Sequence, residues 1–184
     1  MRDKKKKTNT TTITQIALFS ALLCIISPFA LVFPFSPVPI SLTTLMLYIS
    51  VYILGKRHAL ISCGIYLLIG LVGIPVFSGF TGGIGKVVGP TGGYLIGYLF
   101  LTFISGWFVE RWNGRIMQGI GMALGTAVCY LFGSMWLAFQ AGMEFVAAIA
   151  VGVIPFIPGD IVKLFIGVMA GNAMRRRLVR AGIL

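Results

Sequence analysis

Acid–base side chains are scarce in this 184-residue chain: it carries four Asp and Glu residues and a single histidine. That scarcity excludes most hydrolytic and metal-dependent chemistry. General acid–base work needs a positioned partner for the base, and His58 stands beside Lys56 and Arg57 with none, which suits a side chain facing lipid headgroups. No membrane span holds a pair of carboxylates. Three cysteines, Cys24, Cys63 and Cys129, lie far apart in apolar runs and make neither a metal spacing nor a disulfide framework; packed helix positions are the expectation. Charge of either sign is also rare, at 10% of residues, where soluble domains run near one quarter.

What fills the chain instead is hydrocarbon. It is 58% hydrophobic with a mean hydropathy of +0.98. Residues 8–55, 58–85, 87–109 and 116–143 contain no Asp, Glu, Lys or Arg, and roughly 20 apolar residues span a bilayer as a helix. The pattern predicts a single-domain (1–184), all-α membrane protein of six transmembrane helices. The expected spans are Ile13–Phe33, Ile40–Leu54, Ala59–Ile74, Gly93–Val109, Ile116–Leu137 and Asp160–Met174, with a basic segment (1–12) ahead of them. A short apolar stretch, Phe145–Ile154, precedes the last span. Lys4 to Lys7 before the first run resemble the start of a signal peptide, but the run is too long and lacks a small-residue cleavage site, so a retained helix is expected.

Fifteen Lys and Arg against four acids give a net charge of +11, which in another chain would suggest nucleic acid. Here the distribution explains the excess. Arg2, Lys4–Lys7, Lys56, Arg57, Arg111, Arg115, Arg175–Arg177 and Arg180 all fall on one side of a six-span topology, which the positive-inside rule makes cytoplasmic, with both termini. Nucleic acid is not an expected partner; the lipid bilayer, with anionic headgroups against the basic ends, is. Only Lys86 and Lys163 fall elsewhere.

Two segments then face the outer side. "GFTGGIGKVVGPTGGY" (Gly79 to Tyr94), within a predicted outer loop at 75–93, has seven glycines in sixteen residues. It is not a phosphate loop: Phe80 stands where the first Gly of G-x-x-x-x-G-K-[ST] is needed and Val87 where the hydroxyl is needed. Val88 likewise breaks G-x-G-x-x-G. The second, "PFIPGD" (Pro155 to Asp160), opens the last span. Asp160 and Lys163 share a helix face and lie fifteen and twelve residues before Arg175, so a rise of about 1.5 Å per residue puts them at membrane depth near the outer surface. Ionisable groups there are costly and mark function by default. Two readings stand: a self-neutralising pair anchoring the helix start, or the polar floor of a small-molecule pocket. Tyr94 ends the Gly-rich stretch and is expected to face the same cavity. Phe77, Phe80, Tyr98 and Trp136 are either interfacial aromatics or walls of that pocket. Ala17-x-x-x-Ala21, Gly93-x-x-x-Gly97, Gly121-x-x-x-Gly125 and Gly167-x-x-x-Gly171 permit close helix approach.

Together, "GIPVFSGFTGGIGKVVGPTGGYLIGY" (Gly73 to Tyr98) and "PFIPGDIVK" (Pro155 to Lys163) resemble the BioY family, the substrate-binding (S) components of energy-coupling factor (ECF) biotin transporters. The resemblance covers nearly the whole chain. It implies a compact six-helix S component in the cell membrane that binds biotin from outside, is no enzyme and needs no cofactor. It implies partners as well: a transmembrane coupling (T) component and two ATP-binding cassette ATPases, with Ala17 and Ala21 as the docking face. For biotin it implies contacts from Asp160, Lys163, Tyr94, Gly92 and Gly93. Ser78 and Gly79 fall in a segment that varies; some members carry Asn where Gly79 stands. Phe77, Phe80 and Trp136 would flank the apolar parts. Transport would involve rotation of the whole S component. The alternatives are an S component for another small vitamin, or a membrane-embedded enzyme using Asp160 and Lys163 as acid and base.

Overall fold

The computed structural model describes residues 10–31 and 38–182. Helix α1 (Thr10–Ile26) stops well before the expected Phe33. The cause is Pro28, which lacks an N–H and biases the residue before it away from helical geometry. The chain then enters a short antiparallel ribbon, β1 (Ala30–Leu31) on β2 (Ile40–Ser41), with Ala30 opposite Ser41. Phe33 itself, and most of the proline-rich stretch from Pro34 to Pro39, lie outside the described residues.

Helix α2 (Thr43–Leu71) is one helix only by its hydrogen bonds: Gly55, at φ 74 and ψ 170, breaks it. Tyr66 beyond the break and Thr43 before it both come within hydrogen-bond reach of Ser27. The arms 43–54 and 56–71 therefore run side by side as a hairpin, and they are the second and third expected spans. Glycine is required at the tip, since this backbone conformation is one that L side chains avoid. An added Cβ would also sit 2.9 Å from the Glu110 carboxylate.

After the outer loop with its small helix α3 (Ile84–Val88), the chain crosses back as α4 (Gly92–Arg111) and again as α5 (Arg115–Ala141). A left-handed Gly142 ends α5. A short α6 (Phe145–Gly152) and a 3-10 turn (Ile154–Phe156) lead into α7 (Ile157–Arg180). Pro158 lies in the first turn of α7, where its missing N–H would be unpaired anyway. Counting the two arms of α2, α1, α4, α5 and α7 make six long helices.

The helices meet through small residues and buried hydroxyls, as membrane bundles do. Tyr48 and Tyr52 seat on Gly167 and Gly171, where a Cβ would approach the rings to 3.0 and 2.1 Å. Phe108 covers Gly121 and Leu101 covers Gly125, so these small-residue motifs serve internal packing. Ser20 bonds Ser62 (3.1 Å), Thr43 donates to Ser27 (2.9 Å), and Tyr48 pairs with Thr126 (2.5 Å). Leu23, Leu47, Val51, Leu101, Met122 and Leu137 fill the interior.

Among the described residues the charges sort by end as the sequence predicts; most of the basic segment expected at 1–12, with Arg2 and Lys4 to Lys7, lies outside them. Glu110 accepts from the Lys56 amide at 2.6 Å. Tyr52 donates to Gln118 (2.9 Å) and lies within the field of Arg115 and Arg175. This is the basic end. The Gly-rich loop, Pro28 and the head of α7 lie at the other, outer end.

Candidate functional site

The outer end carries two polar clusters. The first is built on α7. Asp160 lies in the helix's first turn, where a carboxylate complements the N-terminal dipole. Its Oδ1 accepts from Lys163 Nζ at 2.7 Å, and the two side chains are only 12% and 11% exposed. Its Oδ2 accepts from the Tyr130 hydroxyl of α5. Because α7 is unbroken from Ile157 to Arg180, the helical rise separating the pair from Arg175 applies along its whole length. Asp160 also borders a cavity of about 160 Å³ between α5 and α7, with Thr126 and Tyr130 among its walls.

The second cluster is the Gly-rich loop, which is braced rather than slack. Phe77 and Thr81 form a one-bridge antiparallel turn, and Gly83 N–H donates to Gly70 O at 2.7 Å. Gly79 N–H donates to Pro28 O at 2.9 Å. At the far end of α3, Trp136 Nε1 donates to Gly89 O (2.9 Å) and Gln140 Nε2 to Val88 O (2.5 Å), both from α5. Between these braces lies a narrow cleft of about 20 Å³ bordered by Phe77, Ser78, Lys86, Thr91, Tyr94 and Tyr98. Tyr94 donates to Gly152 O at 3.0 Å.

Asp160 and Lys163 are thus an intimate buried pair, and Phe77, Ser78 and Tyr94 converge on the cleft. Tyr98 links the two clusters: it borders the cleft and lies within the field of Asp160. Tyr94 and Asp160 line different cavities rather than one. Gly79 and Phe80 face away, into a surface groove with Pro28 and Phe29; Phe80 is 61% exposed and meets Phe29 edge-on at 5.3 Å. Gly92 and Gly93 lie under backbone and side chain: a Cβ at Gly92 would collide with Val87 O, one at Gly93 with Trp136. Trp136 therefore packs the loop onto α5. Ala17 and Ala21 are both exposed on α1.

Sequence reasoning missed Tyr130, the second hydrogen-bond partner of Asp160, because thirty residues separate them. A lone tyrosine midway along an apolar span was the available signal. It also left Lys86 without a place, and passed over Thr91.

The BioY family model matches residues 2–180. A protein named "Probable biotin transporter BioY" from Pyrococcus horikoshii is 37% identical over 89% of this chain and 95% of its own length. Biotin transporter BioY2 of Lactococcus lactis is 32% identical over 90% and 91%. A crystal structure of the S-component for biotin from an ECF-type ABC transporter superposes with a TM-score of 0.85 at 28% identity, covering 96% of this chain and 95% of the other. The matched proteins are transporter components, not enzymes. With fold, length and sequence all matched across nearly the whole chain, this membrane protein belongs to the BioY family.

Proposed function

We propose that the chain captures biotin at its outer end and carries it across the cell membrane as the S component of an ECF transporter. A transmembrane coupling component and two ATP-binding cassette ATPases would supply the energy. The observation that carries this reading is the buried Asp160–Lys163–Tyr130 cluster at the head of α7. Biotin presents ureido N–H donors, a ureido oxygen, an apolar bicycle and a carboxylate. Asp160 accepts from the ureido N–H groups, and Lys163 donates to a ligand oxygen in exchange for part of its bond to Asp160. Charge-assisted bonds of this kind are the strong ones, and they penalise ligands that leave them unpaired. Gly92, Gly93 and Tyr94 bring backbone and hydroxyl to the ligand, with Ser78 beside them, and Phe77 flanks its apolar parts. Gly79 and Phe80, which face the outer groove, and Trp136, bonded to Gly89 O, come to the ligand only with the loop displaced.

Ligand pockets of this class enclose about 300–1,000 Å³, far more than the present cleft. Biotin entry therefore displaces the braced loop, and the hydrogen bonds from Trp136 and Gln140 are the natural ones to break.

Titration of the detergent-solubilised protein with biotin tests the reading. Saturable binding is expected, weakened on the order of 100-fold or more by Asp160→Asn, since truncating one partner of a buried charged pair costs 2–5 kcal/mol or more. Folded wild-type protein that ignores biotin would overturn it. For docking, Ala17→Trp or Ala21→Trp on the exposed face of α1 is expected to abolish uptake in cells while leaving biotin binding intact.

A further inference from the structure

Charge accounting at the outer end leaves one cation uncompensated. Among the described residues, Lys163 and Lys86 are the only basic side chains there. Lys163 is already neutralised by Asp160 at 2.7 Å. Lys86 is not: among the described residues its amine has neither an ion-pair nor a hydrogen-bond partner. Glu144, the other outer carboxylate, is exposed at the start of α6 and forms no ion pair among the described residues. Yet Lys86 does not extend freely into water. It is partly buried, burial lowers its pKa, and it borders the cleft with Tyr94 and Ser78.

A second orphan lines the same cleft. Thr91 is 8% exposed, and among the described residues its hydroxyl has no hydrogen-bond partner. Threonine at a helix N-cap normally turns that hydroxyl onto the first free amides. Thr91 occupies the N-cap of α4 in a helical conformation (φ −93, ψ −1) and makes no side-chain cap bond. A buried hydroxyl without a partner is costly, so its place here calls for an acceptor.

We propose that Lys86 and Thr91 form the carboxylate subsite of this transporter: the ammonium and the hydroxyl both donate to the terminal carboxylate of the ligand. The inference rests on the biotin reading above and completes it. The Asp160–Lys163 pair is left for the neutral ureido end, and the charged end of the ligand meets the one cation without a counter-ion. Lys86 suits the task because the start of α3 is held by Gly83 N–H donating to Gly70 O, a contact that release of the Trp136 and Gln140 bonds leaves in place.

The test compares biotin with biotinamide, which is neutral at that end, on the solubilised wild-type protein and on Lys86→Met, Lys86→Arg, Thr91→Val and Thr91→Ser. A hydrogen bond to a charged group is worth about 1.5–3 kcal/mol, so Lys86→Met should weaken biotin by about 10- to 100-fold and biotinamide far less, erasing the preference for the acid. Thr91→Val should do the same by about 3- to 10-fold. Arg and Ser should restore much of the preference, which a folding defect would not allow. An unchanged acid-to-amide ratio in Lys86→Met, with wild-type binding intact, overturns the subsite and leaves the biotin reading standing. An unchanged ratio in Thr91→Val alone removes Thr91 from it. Wild-type protein that binds neither compound overturns the biotin reading and this inference together.

Discussion

Two Lys–carboxylate pairs sit at opposite ends of the bundle, and they are built for different tasks. At the outer end, Lys163 and Asp160 meet at 2.7 Å with side chains 11% and 12% exposed, and Tyr130 holds the second carboxylate oxygen. At the basic end, Lys56 and Glu110 are 3.9 Å apart and 30% and 43% exposed. Glu110 there spends its shorter contact on the Lys56 backbone amide, while the Lys56 amine lies over the Phe103 ring. The buried pair has surrendered hydration from both charges. The exposed pair has surrendered little, and its carboxylate chiefly tends the hairpin tip. Burial, more than the identity of the charges, distinguishes the pair proposed to meet ligand from the pair at the hairpin tip.

The sharpest way to break that contrast is to remove one partner of the buried pair. Lys163→Met should strand the Asp160 carboxylate with only Tyr130 and destabilise the fold by about 3–5 kcal/mol, read as a large drop in Tm in detergent. Replacing both, Asp160→Leu with Lys163→Met, should recover most of that loss, because well-packed apolar substitutes for a buried pair are often neutral or stabilising. The double variant should still fail to bind biotin. If instead the pair serves only to anchor the helix, the double variant keeps its biotin affinity.

How far the sequence anticipates this contrast depends on range. The six helices were legible because apolar runs and clustered cations encode them locally, and Asp160 and Lys163 because they are three apart on one helix. The end of α1 was misplaced by several residues because Pro28, inside an apolar run, was outweighed by hydropathy. The Tyr130–Asp160 bond, the Lys56–Glu110 contact and the bracing of α3 by Trp136 and Gln140 join residues thirty or more positions apart, which no spacing rule reaches. The Gly-rich stretch joins the third and fourth long helices, where the sequence puts a loop. Its helix α3 escaped notice because five residues carry too little periodicity to register.

A smaller effect is expected from Gly55→Ala, at the tip the exposed pair tends. The strained conformation costs about 1–3 kcal/mol, and the new methyl crowds Glu110 Oε1 at 2.9 Å. Thermal unfolding should report the loss, while biotin affinity stays near wild type because the tip lies at the far end from α3 and the head of α7. A coupled fall in affinity would mean that the hairpin positions the outer site.

The smallest effect belongs to the exposed pair itself. Glu110→Gln keeps an oxygen to accept from the Lys56 amide and removes only the charge. Pairs this exposed contribute about 0–1 kcal/mol, and the cation–π contact with Phe103 remains available to Lys56. The change in stability should therefore be under about 1 kcal/mol and should shrink as salt rises, since exposed charges are screened. Glu110→Ala removes the acceptor as well and should cost more, by roughly one net hydrogen bond of 0.5–1.5 kcal/mol. The gap between Ala and Gln measures the backbone contact, and the gap between Gln and wild type measures the ion pair. If the second gap were the larger, and salt left it unchanged, Lys56 and Glu110 would behave like the buried pair, and burial would no longer explain the difference between the two ends.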